Sequence, residues 1–149
     1  MDNQLQFCTV DEAVEEIRQG RMIIVTDDPG RENEADLIIA AEFATTEAIN
    51  FMVTHARGLV CAPLSPERAD ALQLPLMTSV NRENMSTAFT VSVDAAHDIT
   101  TGISAAERAL TIRTLADPKA TVNDFVQPGH TFPVSYTHLR AHETTLHLV

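Results

Sequence analysis

Residues 22–25 (Met22, Ile23, Ile24, Val25) and 37–41 (Leu37, Ile38, Ile39, Ala40, Ala41) are apolar runs. Between them, segment 27–36 holds five carboxylates, one Arg and a Pro-Gly pair. Short apolar runs bounded by turn residues read as strands, so this stretch predicts strands at 21–26 and 35–41 joined by an acidic loop. Loops anchored on rigid elements are where binding and chemistry concentrate. Crowded carboxylates repel one another, and a hard cation such as Mg²⁺ or Ca²⁺ relieves that repulsion. A solvated acidic hairpin accounts for the same residues equally well. The spacing of a helix-loop-helix calcium site is absent.

The remaining chain is expected to form one domain with a sizeable core, given its 149 residues and 44% hydrophobic content. The net charge of −11 argues against nucleic acid and anionic membranes as partners, because both require a cationic surface. A few local Arg residues can still hold a phosphorylated small molecule. No run of about 18 apolar residues is present, so no membrane span is expected. The first seven residues lack the basic and apolar regions of a signal peptide. Cys8 and Cys61 are too few and too scattered for a disulfide scaffold or a zinc site, which points to a reduced, cytoplasmic compartment.

Periodicity places further elements. Thr9 and Glu12 form a capping-box pattern ahead of a helix with Ala13, Val14 and Ile17 on one face, stopped at Gly20. Thr45 caps a second helix with Ile49, Met52, Val53 and Ala56 as its apolar stripe, and Gly58 is expected to end it. Residues 59–62 read as a short buried strand, and Ser65-Pro66-Glu67 opens a short helix. Residues 74–88 lack a period and read as a loop. Phe89, Val91 and Val93 alternate with polar neighbours, as in a half-buried strand. Ser104 and Glu107 form a second capping box. Residues 121–126 suggest one or two helical turns, and Pro128-Gly129 a turn before a last strand at 131–134. Helices and strands mix without strict alternation, which predicts an α+β, three-layer, mixed-sheet domain.

The acidic segment also carries a resemblance. Asp27-Asp28 followed by Arg31-Glu32-Asn33-Glu34-Ala35-Asp36 resembles the D-D-x-x-R-E-N-E-x-D signature of the 3,4-dihydroxy-2-butanone 4-phosphate synthase family. Further blocks follow in family order: Gly58-Leu59-Val60-Cys61, Thr87-Ala88-Phe89-Thr90-Val91-Ser92-Val93-Asp94, Thr100-Thr101-Gly102-Ile103-Ser104-Ala105, Glu107-Arg108 with Thr111, and Gln127-Pro128-Gly129-His130-Thr131-Phe132-Pro133. The resemblance covers roughly residues 8–134. It implies the family's fold and a lyase that converts D-ribulose 5-phosphate to L-3,4-dihydroxy-2-butanone 4-phosphate and formate in riboflavin biosynthesis. It also implies Mg²⁺ or Mn²⁺ as cofactor and a homodimer. An inactive fragment of such an enzyme, or an acidic divalent-metal-binding module without catalysis, are the alternatives.

Carried over residue by residue, the resemblance makes Glu32 the metal ligand, with Arg31, Glu32, Asp36 and Cys61 as substrate-binding positions. It makes His130 a functional group suited to proton transfer, and Glu34 and Asp27 are supporting candidates, as metal ligands or as proton carriers. An unperturbed His titrates near neutrality and suits that task. Read without the resemblance, Cys61 is a small buried hydrophobe, Arg31 a salt bridge offsetting nearby acids, and Asp36 a strand-end residue facing water. Thr101, Ser104 and Arg108 lie at a helix start that attracts anions, although Ser104 as a plain N-cap explains the pattern equally well. Gln127 stands where the family commonly has Arg. His55 and His97 are expected at the surface.

After Val134 the family pattern stops. The family's R-x-G-H-T-E-A block, with a second metal-binding His, and its late Glu are not recognisable. Arg140-Ala141-His142-Glu143-Thr144 echoes that block only superficially. Residues 1–134 are therefore expected to be the N-terminal part of a synthase-type domain, incomplete at its C-terminus, and residues 135–149 a non-native tail. That tail resembles translated adapter sequence. A metal cluster of His138, His142 and His147 is the minor alternative.

Overall fold

A computed structural model of the protein describes residues 7–30, 32–135 and the backbone of 147–148. Arg31, His138 and His142 lie outside the described residues, as does the His147 side chain. Helix α1 (Val10–Arg18) starts at the expected capping box, with Thr9 and Glu12 each bonded to the other's backbone, and ends as Gly20 turns left-handed at φ 73°. Strands β1 (Ile23–Thr26) and β2 (Ala35–Ile38) pair antiparallel, Ile23 opposite Ile38 and Thr26 opposite Ala35. The predicted second strand is thus shorter than expected. The chain leaves it for a 3₁₀ turn at Ala41–Phe43.

Helix α2 (Thr46–His55) is capped by Thr45, but Gly58 does not end it. The chain turns one residue earlier, where Arg57 takes φ 64° and its N–H bonds back to the Met52 carbonyl. Strand β3 (Cys61–Leu64) starts two residues later than expected and leads into helix α3 (Pro66–Ala71), capped by Ser65. The 74–88 segment is a loop as expected. Regular pairing in the following segment is confined to β4 (Val93–Ala95), with only isolated bridges at Thr90 and Phe89 before it. Helix α4 (Ala105–Ala116) follows, with Ser104 as N-cap.

The largest departure concerns residues 121–135. A 3₁₀ turn, Val122–Asp124, replaces the expected helical turns, and strand β5 (Phe125–Ser135) runs through Pro128-Gly129 instead of starting after it. The dipeptide marks an irregularity inside a strand. Pairing jumps from Val93 opposite Thr131 to Asp94 opposite Val126, so residues 127–130 bow out of register. Pro and Gly inside a strand pattern often signal such a bulge.

The fold is α+β. A mixed sheet in the order β3-β5-β4 has β3 parallel and β4 antiparallel to β5. The other sheet has the order β2-β1-β6, in which β6 (His147–Leu148) pairs with Val25 and Thr26. Helix α4 binds two core clusters together: Leu115 packs with Leu72, Leu74, Val93 and Phe125, and Ala109 and Ile112 pack with Ala44, Ile49 and Val60. Its C-terminus is tied down by Arg68, whose guanidinium donates to the carbonyls of Leu115 (3.1 Å), Asp117 (2.5 Å) and Ala120 (3.1 Å). Among the described residues no helix is long and apolar enough to cross a membrane.

Candidate active site

Three groups of the expected residues can be built from the chain upward. The first is the loop between β1 and β2. The Asp27 N–H donates to the Glu34 carbonyl at 3.0 Å and closes the loop at its base. The Asp27 carboxylate then gathers backbone donors from inside it, Asp28 N at 2.8 Å on one oxygen and Glu32 N at 2.9 Å on the other. Asp28 accepts from Gly30 N at 2.6 Å, and Asn33 takes the left-handed φ of 54° that Asn tolerates. Glu32, Glu34 and Asp36 are exposed. Asp27 therefore shapes the loop, whatever further task it has. Its acceptor oxygens convert a run of repelling charges into an ordered turn.

The second group joins the two sheets. Cys61 heads β3 opposite Phe132 of β5, and it is exposed, not the buried hydrophobe expected from an isolated Cys. Its thiol is nonetheless pushed above the ordinary range, first by desolvation and then by the negative field of Asp36. A raised pKa keeps the sulfur protonated at neutral pH, so it is not a ready nucleophile. Asp36, the source of that field, lies on β2 in the other sheet.

The third group is His130. It lies in the bowed part of β5, with 41% of its side chain exposed. Asp94, only 4% exposed, grips it twice: Oδ1 accepts from the His130 backbone N–H at 2.9 Å, and Oδ2 meets ring Nδ1 at 2.7 Å. A carboxylate only accepts, so Nδ1 carries the hydrogen and Nε2 is left as the ring's exchangeable position. The Gly129 N–H donates to Ser92 Oγ at 3.2 Å. The alternation of residues 89–94 assigns Asp94 to the solvent side, yet all three residues of β4 are buried. The excursion of β5 covers the face that alternation leaves open. Asp94 was legible only as the last residue of a motif block, with no role attached. A carboxylate at the end of an apolar strand, ahead of a Gly-His pair elsewhere in the chain, was the available signal.

Glu107 exceeds its expected role as well. Besides the capping box with Ser104, its carboxylate accepts from Thr100 N, Thr100 Oγ (2.8 Å) and Gly102 N (3.1 Å). These donors, those of Thr100 first, lower its pKa to about 2. Ser104 is the N-cap that the sequence allowed. His55 and His97 are exposed as expected, and His55 lies against the Phe51 ring at 4.4 Å between centroids.

The sequence pattern of the 3,4-dihydroxy-2-butanone 4-phosphate synthase family matches residues 11–145. The chain belongs to this family. It is 56% identical over 125 residues to the 3,4-dihydroxy-2-butanone 4-phosphate synthase of Neisseria meningitidis serogroup B, covering 84% of this chain and 34% of that protein. It is 54% identical over 129 residues to the synthase of Pyricularia oryzae, covering 86% of this chain and 55% of the other. A crystal structure of a 3,4-dihydroxy-2-butanone 4-phosphate synthase in complex with two magnesium ions superposes with a TM-score of 0.85 at 53% identity, over 87% of this chain and 60% of that one. The chain thus spans about a third to three-fifths of the length of these relatives.

A divalent cation like the magnesium of that crystal structure can be set against the side chains present here. Among the described residues no three His, Cys, Asp or Glu side chains are gathered around one point. The donors on the acidic loop are carboxylates, the oxygen donors that Mg²⁺ prefers, and Mg²⁺ accepts a site of one or two carboxylates completed by water and substrate oxygens. Exposed carboxylates of this kind, Glu32, Glu34 and Asp36 among them, suit such an ion chemically.

Proposed function

We propose that the protein acts on D-ribulose 5-phosphate in the lyase reaction that yields L-3,4-dihydroxy-2-butanone 4-phosphate and formate, a step of riboflavin biosynthesis. The observation that carries this reading is the Asp94–His130 pair. It presents a partly exposed imidazole with its donor nitrogen already committed, inside a chain of the matching family. The reaction begins with removal of the C3 proton and moves further protons as water leaves, is taken up again, and formate departs. His130 Nε2 takes and returns protons, and Asp94 holds the ring for that exchange. Asp36 holds sugar hydroxyls, Cys61 packs beside the substrate as a neutral thiol, and Arg31 pairs with its oxygens or phosphate. Glu34 and Asp27 are further proton carriers, the latter also fixing the loop. Glu32 holds Mg²⁺ or Mn²⁺, which when bound supplies Lewis-acid stabilisation of negative charge on substrate oxygens. The proposed setting is a cytoplasmic homodimer. Residues 1–134 form the synthase body in this reading, and residues 135–149 are a tail of other origin.

Formate release is the test, measured on the 149-residue chain with ribulose 5-phosphate and Mg²⁺, beside the same chain cut after Val134 and a version extended to the length of the relatives. Turnover by the extended protein that requires His130 and added metal supports the proposal. The alternative reading of the 149 residues is a partial site that binds without turning over. Calorimetric binding of ribulose 5-phosphate with no formate supports that reading. Neither binding nor formate in any version overturns both.

A further inference from the structure

A capping box explains only part of what Glu107 does. The box needs the Ser104 hydroxyl on the helix backbone and the Glu107 side chain back on the Ser104 N–H, and both bonds are present. The same carboxylate also collects Thr100 N, Thr100 Oγ and Gly102 N, donors that belong to the loop before the helix. One Glu side chain thus organises residues 100–104 as a unit, and Glu107 itself is buried.

That unit has a face. Gly102 is buried, stands at φ 85°, and has no room for a side chain. A Cβ placed there would lie 2.1 Å from Asp94 Oδ2 and 2.4 Å from its Cγ. The Asp94 carboxylate is therefore confined between the Gly102 backbone on one side and the His130 ring on the other. Oδ2 is the oxygen that meets His130 Nδ1. A turn of the carboxylate that frees Oδ2 also withdraws Oδ1 from the His130 backbone, so the two bonds hold or fail together.

We propose that Glu107 is a positioning residue for His130: it fixes the 100–104 loop so that Gly102 seats against Asp94, and Asp94 sets the tautomer of the imidazole. The proposal rests on His130 being the proton carrier. It adds the mechanism that keeps Nε2 as the free ring nitrogen. Glu107 touches neither the imidazole nor any reacting atom and acts only through the loop.

The tautomer is read directly by long-range ¹H–¹⁵N correlation of the histidine rings in the ¹⁵N-labelled 149-residue chain. The spectra are recorded at a pH of about 8.5, two units above the value of a free imidazole near 6.5. The His130 signals are those absent from His130→Gln. The wild-type ring is expected as the Nδ1–H form alone. Gly102→Ala and Glu107→Gln are expected to lose that single form, because the Gln amide turns a donor toward N–H groups that the carboxylate accepted. Ile23→Ala, a core truncation in the cluster with Ala13, is expected to keep it. If Glu107→Gln does not fold, Ser104→Ala, which removes one donor to Glu107, is expected to weaken the preference. A folded Glu107→Gln with the single Nδ1–H form intact overturns the proposal. So does loss of that form in Ile23→Ala, or a wild-type ring protonated on Nε2. Normal formate release by His130→Ala would instead refute the proton-carrier reading and leave these ring measurements standing.

Discussion

Gly129→Ala tests whether the bowed segment of β5 is as tightly seated as the structure indicates. Gly129 has no left-handed backbone, so the substitution carries no φ penalty and isolates the question of space. The new Cβ would lie 2.0 Å from the Val93 carbonyl carbon, 2.3 Å from Asp94 N and 2.4 Å from Val93 O, all backbone atoms. Carbon atoms settle at about 3.5–4.0 Å, so β4 and β5 must separate locally by roughly 1.5 Å. Overpacking typically costs about 1–3 kcal/mol, and backbone that cannot swing aside places this case at the upper end. The same separation pulls apart Gly129 N from Ser92 Oγ and His130 N from Asp94 Oδ1. A neutral hydrogen bond is worth about 1 kcal/mol and one to a charged group about 1.5–3. The expected loss is about 4.5–7 kcal/mol, a large part of the ~5–15 that stabilise a domain. Urea unfolding followed by circular dichroism reads it as a midpoint about 2–3.5 M lower, for a slope near 2 kcal/mol/M. Gly58→Ala is the control: no atom lies within 4 Å of its added Cβ, so its stability should stay within about 0.5 kcal/mol of the parent. A Gly129→Ala midpoint equal to that of Gly58→Ala would refute the packing argument.

Further outcomes follow from the same structure. Glu107 has a folded pKa of about 2 against an ordinary 4.5. A depressed carboxylate contributes stability above its unfolded pKa and loses it as pH falls through the folded one. The stability difference between wild type and Glu107→Gln should therefore be full at pH 7 and shrink between pH 4.5 and about 2, as measured by urea titrations across that range. Arg68→Lys keeps the charge but cannot span three carbonyls with one ammonium group. It should lose about 1–3 kcal/mol, and an unchanged thermal midpoint would contradict the clamp. In a catalytically competent version of the protein, His130→Ala should lower turnover by at least ~10²-fold, the usual scale for losing a proton-transfer group. Asp94→Asn should fall between it and wild type, and equal activity of all three would remove the pair from the reaction. Glu32→Gln should weaken Mg²⁺ binding in calorimetry, and unchanged affinity would reassign the metal anchor.

Local chemistry made much of the fold legible. The four helix starts at Thr9, Thr45, Ser65 and Ser104 are each written in one to four residues, and all four hydroxyls cap as expected. The acidic loop was legible for the same reason, since its flanking strands pair with each other and its hydrogen bonds are local. Stops and bulges were harder. Gly58 looked like the end of α2, but the helix closes at Arg57, whose left-handed turn is met by a bond back to Met52. Pro128-Gly129 reads as a turn, because a Pro-Gly pair is a turn signal when only its neighbours are considered.

What decides residues 125–135 lies more than thirty positions upstream, at residues 92–95. Gly129 is needed because Val93 and Asp94 pass directly beneath it, and Asp94 is buried because the bow of β5 comes down over it. Neither residue predicts the other from local pattern, since each is odd only in the presence of its partner. The same holds for Gly102, whose missing side chain is explained by the carboxylate of Asp94. Sequence reading could therefore pick out His130 as a chemical group and assign its neighbourhood to a turn. It could not find the buried carboxylate that orients the ring, because alternation along 89–94 sends Asp94 outward. The side chains with chemistry to offer are visible in the sequence. The residues that aim them become visible only when distant strands are brought into register.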